Sequence, residues 1–262
     1  MKDKLKSPTL PLGGEMQIEQ FGFGTWNLRG SGGQKAMEHA LKVGYRHIDS
    51  ADFYRNHDGL AKAMKGSGLK REDVFVVTKL WTHSYPSDRV GPAVDRFLQE
   101  LETEYIDLLL IHWPDGRTPI VDTLGAMEQA RQAGKIRSVG VSNFGVREME
   151  EALASGVPVV NNQIEYNLRV QPRDVLDYCL KNDVTVTSYT SLKRGSRGQE
   201  KLVAELAEKY GASREQVLLN WLMGMGMIVI PRSKNPAHIE GNWGALSWEM
   251  EAGDVERIEQ AR

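Results

Sequence analysis

One cysteine, Cys179, stands among 262 residues, so no disulfide can form within the chain, and the sequence fits a reducing compartment. It falls in the segment Val175-Leu-Asp-Tyr-Cys-Leu180, which has helical character, and there it reads as a small buried hydrophobe rather than a nucleophile. An excess of charge of either sign is also missing: 33 Lys and Arg stand against 35 Asp and Glu, a formal net charge of -2. That balance removes the electrostatic case for nucleic acid or an anionic membrane as the main partner. Long apolar runs are lacking, and those at 106–111 and 225–230 are far too short to span a bilayer. The start, Met1-Lys-Asp-Lys-Leu-Lys-Ser-Pro8, is charged with no apolar run behind it, which argues against a secretory signal. Proline- or serine-rich linkers, close repeats and low-complexity tracts are absent too. The expectation is a soluble cytoplasmic protein forming one domain over residues 1–262, long enough to bury a core without staples.

What the sequence does have is a rhythm. After a small hairpin over 9–20, with Gly13-Gly14 at its turn, eight apolar strand-like runs follow. They are 21–25, 47–49, 74–79, 106–111, 136–142, 159–163, 185–189 and 228–231. Helical periodicity fills the intervals at 34–43, 59–65, 89–102, 124–132, 146–154, 175–181, 201–210 and 213–223, and again at 254–261. Asp88, Pro172 and Ser213-Arg-Glu-Gln216 read as helix starts, and Gly134, Gly156 and Gly211 as stops. Strand and helix alternating eight times predict a parallel sheet closed into a (β/α)8 TIM barrel with an N-terminal β-hairpin. An open doubly wound sheet is the alternative, but 21–26 lacks its glycine fingerprint.

Chemistry in such a barrel sits at the C-terminal ends of the strands. Those ends carry Thr25, Asp49, Lys79, His112, Ser142-Asn143, Gln163-Glu165, Tyr189 and Arg232-Ser233. Tyr54 follows Asp49 by five residues. Singly, each has a plain reading: a helix cap, a solvated lysine, a core histidine. Together, Asp49, Tyr54, Lys79 and His112 make a proton-delivery site. An ammonium beside the phenol would lower its pKa, a carboxylate would hold the ammonium, and the histidine would orient a carbonyl. The set contains no electron source, so a reduction would need a cofactor hydride. A metal site from His47, Asp49 and His112 is the competing reading, and His39, His57 and His83 are expected to be exposed.

The motifs Gly44-Tyr-Arg-His-Ile-Asp-Ser-Ala-Asp-Phe-Tyr54, Thr78-Lys-Leu-Trp81, Asp107-Leu-Leu-Leu-Ile-His-Trp-Pro114, Gly140-Val-Ser-Asn-Phe144 and Ile230-Pro-Arg-Ser233 resemble those of the aldo-keto reductases. The likeness runs from Gly22 to about Asn242. It implies reduction of aldehydes and ketones with NADPH, NADH being a second candidate, by a monomer that needs no metal. Tyr54 would be the proton donor, Lys79 and Asp49 its tuning pair, and His112 the orienting group. Ser142, Asn143 and Gln163 would hold the nicotinamide carboxamide and Tyr189 stack on its ring. Thr25, Trp26, Asp49, Thr190, Leu192, Arg232, Ser233, His238 and Asn242 would complete the cofactor site. Trp26, Phe53, Tyr54, Trp81, His112 and Trp113 would surround a small carbonyl substrate. The same resemblance leaves open a non-catalytic, nucleotide-binding regulatory subunit, and the metal reading leaves open a barrel hydrolase.

Four departures from the family pattern carry expectations. The turn after Tyr189 reads Thr190-Ser-Leu-Lys-Arg194 in place of Ser-Pro-Leu-Gly, so Lys193 and Arg194 could supply positive charge to a pyrophosphate. His238 and Gly241 replace an arginine and a glutamate at the adenosine end, which predicts a reduced margin of NADPH over NADH. His57 replaces a glutamate after Asn56, with no evident mechanistic meaning. The chain stops at Arg262 and the loop 115–120 is short, which predicts a shallow, open pocket and broad activity on small aldehydes.

Overall fold

The computed structural model describes residues 5–14 and 16–261. The charged start Met1–Lys4, Glu15 of the expected hairpin, and Arg262 lie outside the described residues. The chain opens with an antiparallel pair, β1 (Thr9–Pro11) and β2 (Gln17–Glu19), with Leu10 opposite Ile18. Gly13 and Gly14 lie between them at φ 72° and 56°, a left-handed conformation that glycine adopts without a Cβ clash.

Eight parallel strands follow: β3 (Phe23–Gly24), β4 (His47–Asp49), β5 (Phe75–Leu80), β6 (Ile106–Ile111), β7 (Ile136–Ser142), β8 (Val159–Glu165), β9 (Thr185–Tyr189) and β10 (Ile228–Val229). Each is bonded to the next, and a parallel bridge between Phe21 and Val229 closes the ring. There the Gly22 amide donates to the Val229 carbonyl at 2.8 Å, and the Val229 amide donates to that of Gln20 at 2.9 Å. The expected (β/α)8 barrel is the observed fold.

Around it run α1 (Gly30–Val43), α2 (His57–Ser67), α3 (Ser87–Leu101), α4 (Ile120–Gln132), α5 (Val146–Ala154), α6 (Arg173–Lys181), α7 (Arg197–Tyr210), α8 (Arg214–Gly224), α9 (Pro236–Trp243) and α10 (Ala252–Gln260). Several start earlier than periodicity indicated, because a polar first turn carries no apolar repeat. The Ser213 capping box is present: its Oγ accepts from the Gln216 amide, and Gln216 Oε1 accepts from the Ser213 amide. Asp88, expected as a cap, lies instead in the first turn of α3, whose N-cap is Pro86; its carboxylate still favours that end of the helix. Helix α9 was not anticipated. Only Ile239, Asn242 and Trp243 are buried on it, too few to print a repeat, and its start is set by Asn235 Oδ1 accepting from the Ala237 amide at 3.0 Å.

The core has two parts. The larger lies between strands and helices. The smaller fills the barrel with Val77, Leu108, Leu110, Ile228 and Ile230, and the hairpin adds Leu12 and Ile18 to it. Gly140 is needed there: a Cβ would sit 2.6 Å from Leu110 Cδ2 and 2.8 Å from the Asn161 carbonyl oxygen.

Candidate active site

Strand periodicity builds the site. Side chains two residues apart share a face, so the interior row that is apolar at Val77, Leu108 and Leu110 continues to Lys79 and His112 at the strand ends. By the same step of two, Asp49 follows His47, Ser142 follows Gly140, Gln163 follows Asn161 and Tyr189 follows Thr187. Polar groups therefore gather at one end of an otherwise filled barrel.

Lys79 is fully buried, with Asp49 2% exposed beside it. Lys79 Nζ donates to Asp49 Oδ1 at 2.6 Å and to the Ser50 carbonyl at 2.8 Å. The other carboxylate oxygen, Asp49 Oδ2, accepts from Gln163 Nε2 at 2.7 Å. Tyr54 ends a single turn of 3-10 helix, Asp52–Tyr54, and the chain then leaves through Arg55 at φ 52°. Arg29 Nε secures that turn by donating to the Tyr54 carbonyl at 2.7 Å. The Tyr54 ring lies 5.1 Å from Lys79 Nζ and packs edge-on against His112 with ring centroids 5.7 Å apart. The structure thus brings together all four residues of the proton-delivery set.

The electrostatics differ from the sequence expectation at one point. Burial, reinforced by the Asp49 carboxylate and Tyr189, holds the Tyr54 phenol well above its ordinary pKa of 10, where a lowered value was expected. Asp49 largely offsets the ammonium that was to lower it, so desolvation dominates. Burial lowers Lys79, and Asp49 opposes that shift. Burial and the Lys79 charge lower His112 to about 3, so its imidazole is neutral at ordinary pH. His112 Nδ1 is buried with no hydrogen-bond partner among the described residues.

Asp49, Tyr54 and His112 form the floor of a cavity of ≈ 500 Å³. Trp26, Phe53, Trp81 and Trp113 wall one side of it. Phe53 stacks on Trp81 (4.3 Å between centroids) and on Trp26 (5.7 Å), while Trp26, Phe53 and Trp113 remain exposed. Thr25, Ser142, Asn143, Gln163, Tyr189, Thr190, Leu192 and Arg232 line the rest. Asn143, in the left-handed region at φ 64°, donates to the His112 carbonyl and to Ser142 Oγ, and accepts from the Tyr189 hydroxyl at 2.7 Å. Thr25 Oγ1 donates to the Asp49 carbonyl at 2.8 Å. Burial and Glu165 push the Tyr189 phenol up to about 12.

Lys79 lies beneath the lining rather than in it. Ser233, His238 and Asn242 also stand outside the lining, with Ser233 just before α9 and the other two on it. Gly24, Ser191, Ile230 and Pro231 line the cavity without having been singled out, since small and apolar residues at strand ends give no chemical signal. Lys193 reaches the lining and donates to Glu165 at 2.8 Å, whereas Arg194 approaches Glu200 at 3.8 Å.

The histidines need correction. His57 was expected to be exposed and is 3% exposed, bonded on both ring nitrogens. His39 is partly covered beside Glu240, and only His83 is largely exposed. His47 lies one pleat below Asp49, with Nδ1 donating to the Glu19 carbonyl at 3.1 Å. Among the described residues no three His, Cys, Asp or Glu are grouped to hold a metal, and no helix is long and apolar enough to cross a membrane.

A filled parallel barrel with an ionic pair and a phenol at the C-terminal ends of its strands defines a catalytic barrel protein. The Aldo/keto reductase family model matches residues 20–262, and the chain belongs to that family of carbonyl-reducing oxidoreductases. It is 34% identical over 247 residues to the methylglyoxal reductase DkgB of Yersinia pestis, covering 93% of this chain and 92% of the relative. An aldo/keto reductase structure from Brucella melitensis superposes with a TM-score of 0.91 at 35% identity, covering 97% of this chain and 98% of that one. A Bombyx mori aldo-keto reductase, solved in complex with NADP, gives 0.89 at 30% identity, covering 97% and 92%.

Proposed function

We propose that this chain reduces small aldehydes and ketones with NADPH as the preferred reductant, and that Tyr54 delivers the proton. The observation that carries this reading is the buried Lys79–Asp49 pair beneath a phenol that opens on the cavity.

The cavity suits a nicotinamide nucleotide. Gln163 and Ser142 offer polar atoms for a carboxamide, Tyr189 a flat ring, and Arg232, Ser233 and Lys234 precede the N-terminus of α9, a set of donors suited to phosphate. When bound, the nicotinamide supplies a hydride to the carbonyl carbon. As the C=O π electrons move onto oxygen, the Tyr54 O–H bond breaks and its proton passes to that oxygen. A phenol held above its ordinary value stays protonated at rest, so the donor carries its proton when the carbonyl arrives. The phenolate left behind faces the Lys79 ammonium, which stabilises it. Neutral His112 can donate an N–H to the carbonyl and fix its direction without competing for the proton.

Likeness to the methylglyoxal reductase of Yersinia pestis supports small α-oxoaldehydes as substrates, and the exposed aromatic wall suits planar aldehydes as well. His238, in place of an arginine, keeps the preference for NADPH over NADH modest. The test is NADPH oxidation by the purified protein with methylglyoxal or a simple aromatic aldehyde. Steady turnover is expected, with Tyr54→Phe losing about 10²-fold or more; a Tyr54→Phe rate equal to that of the parent would reject the mechanism.

A further inference from the structure

A chain of side chains behind the site ends on Asp52 and Thr78, in the two segments that carry the phenol and the ammonium. His57 opens α2, and its Nε2 lies 2.8 Å from the Oγ1 of Thr78, the residue before Lys79 on β5. Its Nδ1 donates to Glu100 Oε2 on α3 at 2.7 Å, and this hydrogen bond holds the Glu100 carboxyl below its usual range. Glu100 Oε1 accepts from Arg96 Nη1 at 3.0 Å, and Arg96 Nη2 donates to Asp52 Oδ1 at 3.0 Å. Asp52 is the first residue of the three-residue turn that ends in Tyr54. His83 approaches the second Asp52 oxygen at 3.4 Å from the solvent side.

We propose that His57, Glu100, Arg96 and Asp52 form a positioning relay that sets the placement of the Tyr54 phenol over Lys79, and so governs the rate of proton delivery. This rests on the reading of Tyr54 as the proton donor.

The geometry favours a positioning role over general stabilisation. The turn is only three residues long and runs into a left-handed Arg55, so its own hydrogen bonds fix it weakly. Arg29 holds its outer carbonyls, and among the described residues Asp52 is its only side chain hydrogen-bonded to α3. At the other end, His57 is buried against the strand that carries Lys79. Arg96 is the member whose fork joins two carboxylates, and its side chain is 41% exposed, so losing it costs little stability.

The experiment compares Arg96→Met, Asp52→Ala, Asp52→Asn and Tyr54→Phe with the parent enzyme, using NADPH and methylglyoxal. Arg96→Met keeps an unbranched apolar stem and removes the guanidinium, both its fork and its stacking over Phe97, so Asp52→Ala is the variant that breaks the link without touching Phe97. Both are expected to lower kcat about tenfold or more, with KM for NADPH held within about twofold. The isotope effect on kcat with deuterated NADPH should rise, because the chemical step slows. Asp52→Asn keeps an oxygen facing Arg96 and should recover most of the rate. If Arg96→Met and Asp52→Ala lower Tm but leave kcat and the isotope effect unchanged, the network is structural only and the relay is rejected. Loss of activity in Tyr54→Phe alongside that result would reject the relay alone. Retained activity in Tyr54→Phe would reject the reading on which the relay rests.

Discussion

Lys79 Nζ lies 2.6 Å from Asp49 Oδ1, and both side chains are removed from water. A charge pair in that position is expensive to leave incomplete. Each ion has lost its hydration, and the pair is held by the Ser50 carbonyl and the Gln163 amide as well as by mutual attraction.

Breaking the pair separates stability from catalysis. Lys79→Met leaves a buried carboxylate without a counter-ion and is expected to cost about 3–5 kcal/mol in denaturant unfolding. The double variant Lys79→Met, Asp49→Leu should recover much of that loss, since a neutral pair of similar volume has no desolvation cost. It should not recover reductase activity, because the phenolate formed at Tyr54 would lack the facing ammonium. Recovery of activity along with stability would contradict the role given to Lys79.

The pH dependence follows from two displaced groups. Tyr54 is protonated until well above pH 10, and His112 is neutral until about pH 3. The kcat/KM for reduction should therefore be flat from about pH 5 to 9. An inflection near 7 that disappears in His112→Asn would count against this. Stability has a different profile. Between pH 3 and 6.5 the unfolded chain binds a proton at His112 that the folded chain refuses, so stability rises with pH across that window. The contribution is complete above about 6.5 and is lost as the pH falls toward 3. Burial lowers His47 too, so His112→Asn should reduce, not abolish, the slope of the acid limb measured by thermal unfolding.

Cofactor choice can be tested at one exposed residue. His238 lies on α9 outside the cavity lining. A guanidinium there is permanently charged and binds a phosphate through two parallel N–H groups, a fork that an imidazole lacks. His238→Arg is expected to raise the ratio of kcat/KM for NADPH over NADH by about tenfold, equivalent to about 1.4 kcal/mol. The parent should favour NADPH by a smaller margin. A parent that uses NADH better would overturn the proposed preference.

The candidate site was legible wherever chemistry coincided with a strand end. Asp49, Lys79 and His112 could be placed because each stands at the end of a strand-like run, and in a closed barrel those ends converge. Tyr54 was within reach because its turn follows directly. His57 was not. A histidine at a helix start reads as solvated, and nothing near it announces Glu100, 43 residues further on. Helix α9 was missed for a related reason: a short helix that buries few side chains leaves no repeat to read.

The sequence by itself determined the order of strands and helices, the barrel they close, and the identity of the groups at its C-terminal end. Local periodicity and side-chain type are written residue by residue, so a single chain is enough to recover them. Only the tertiary structure decided how those groups are charged and held. The Tyr54 phenol is raised rather than lowered, His57 is buried, and Gln163 braces Asp49 from across the barrel. Desolvation depends on everything packed around a group, and hydrogen bonds here join residues 114 positions apart; neither quantity exists until the chain has closed on itself.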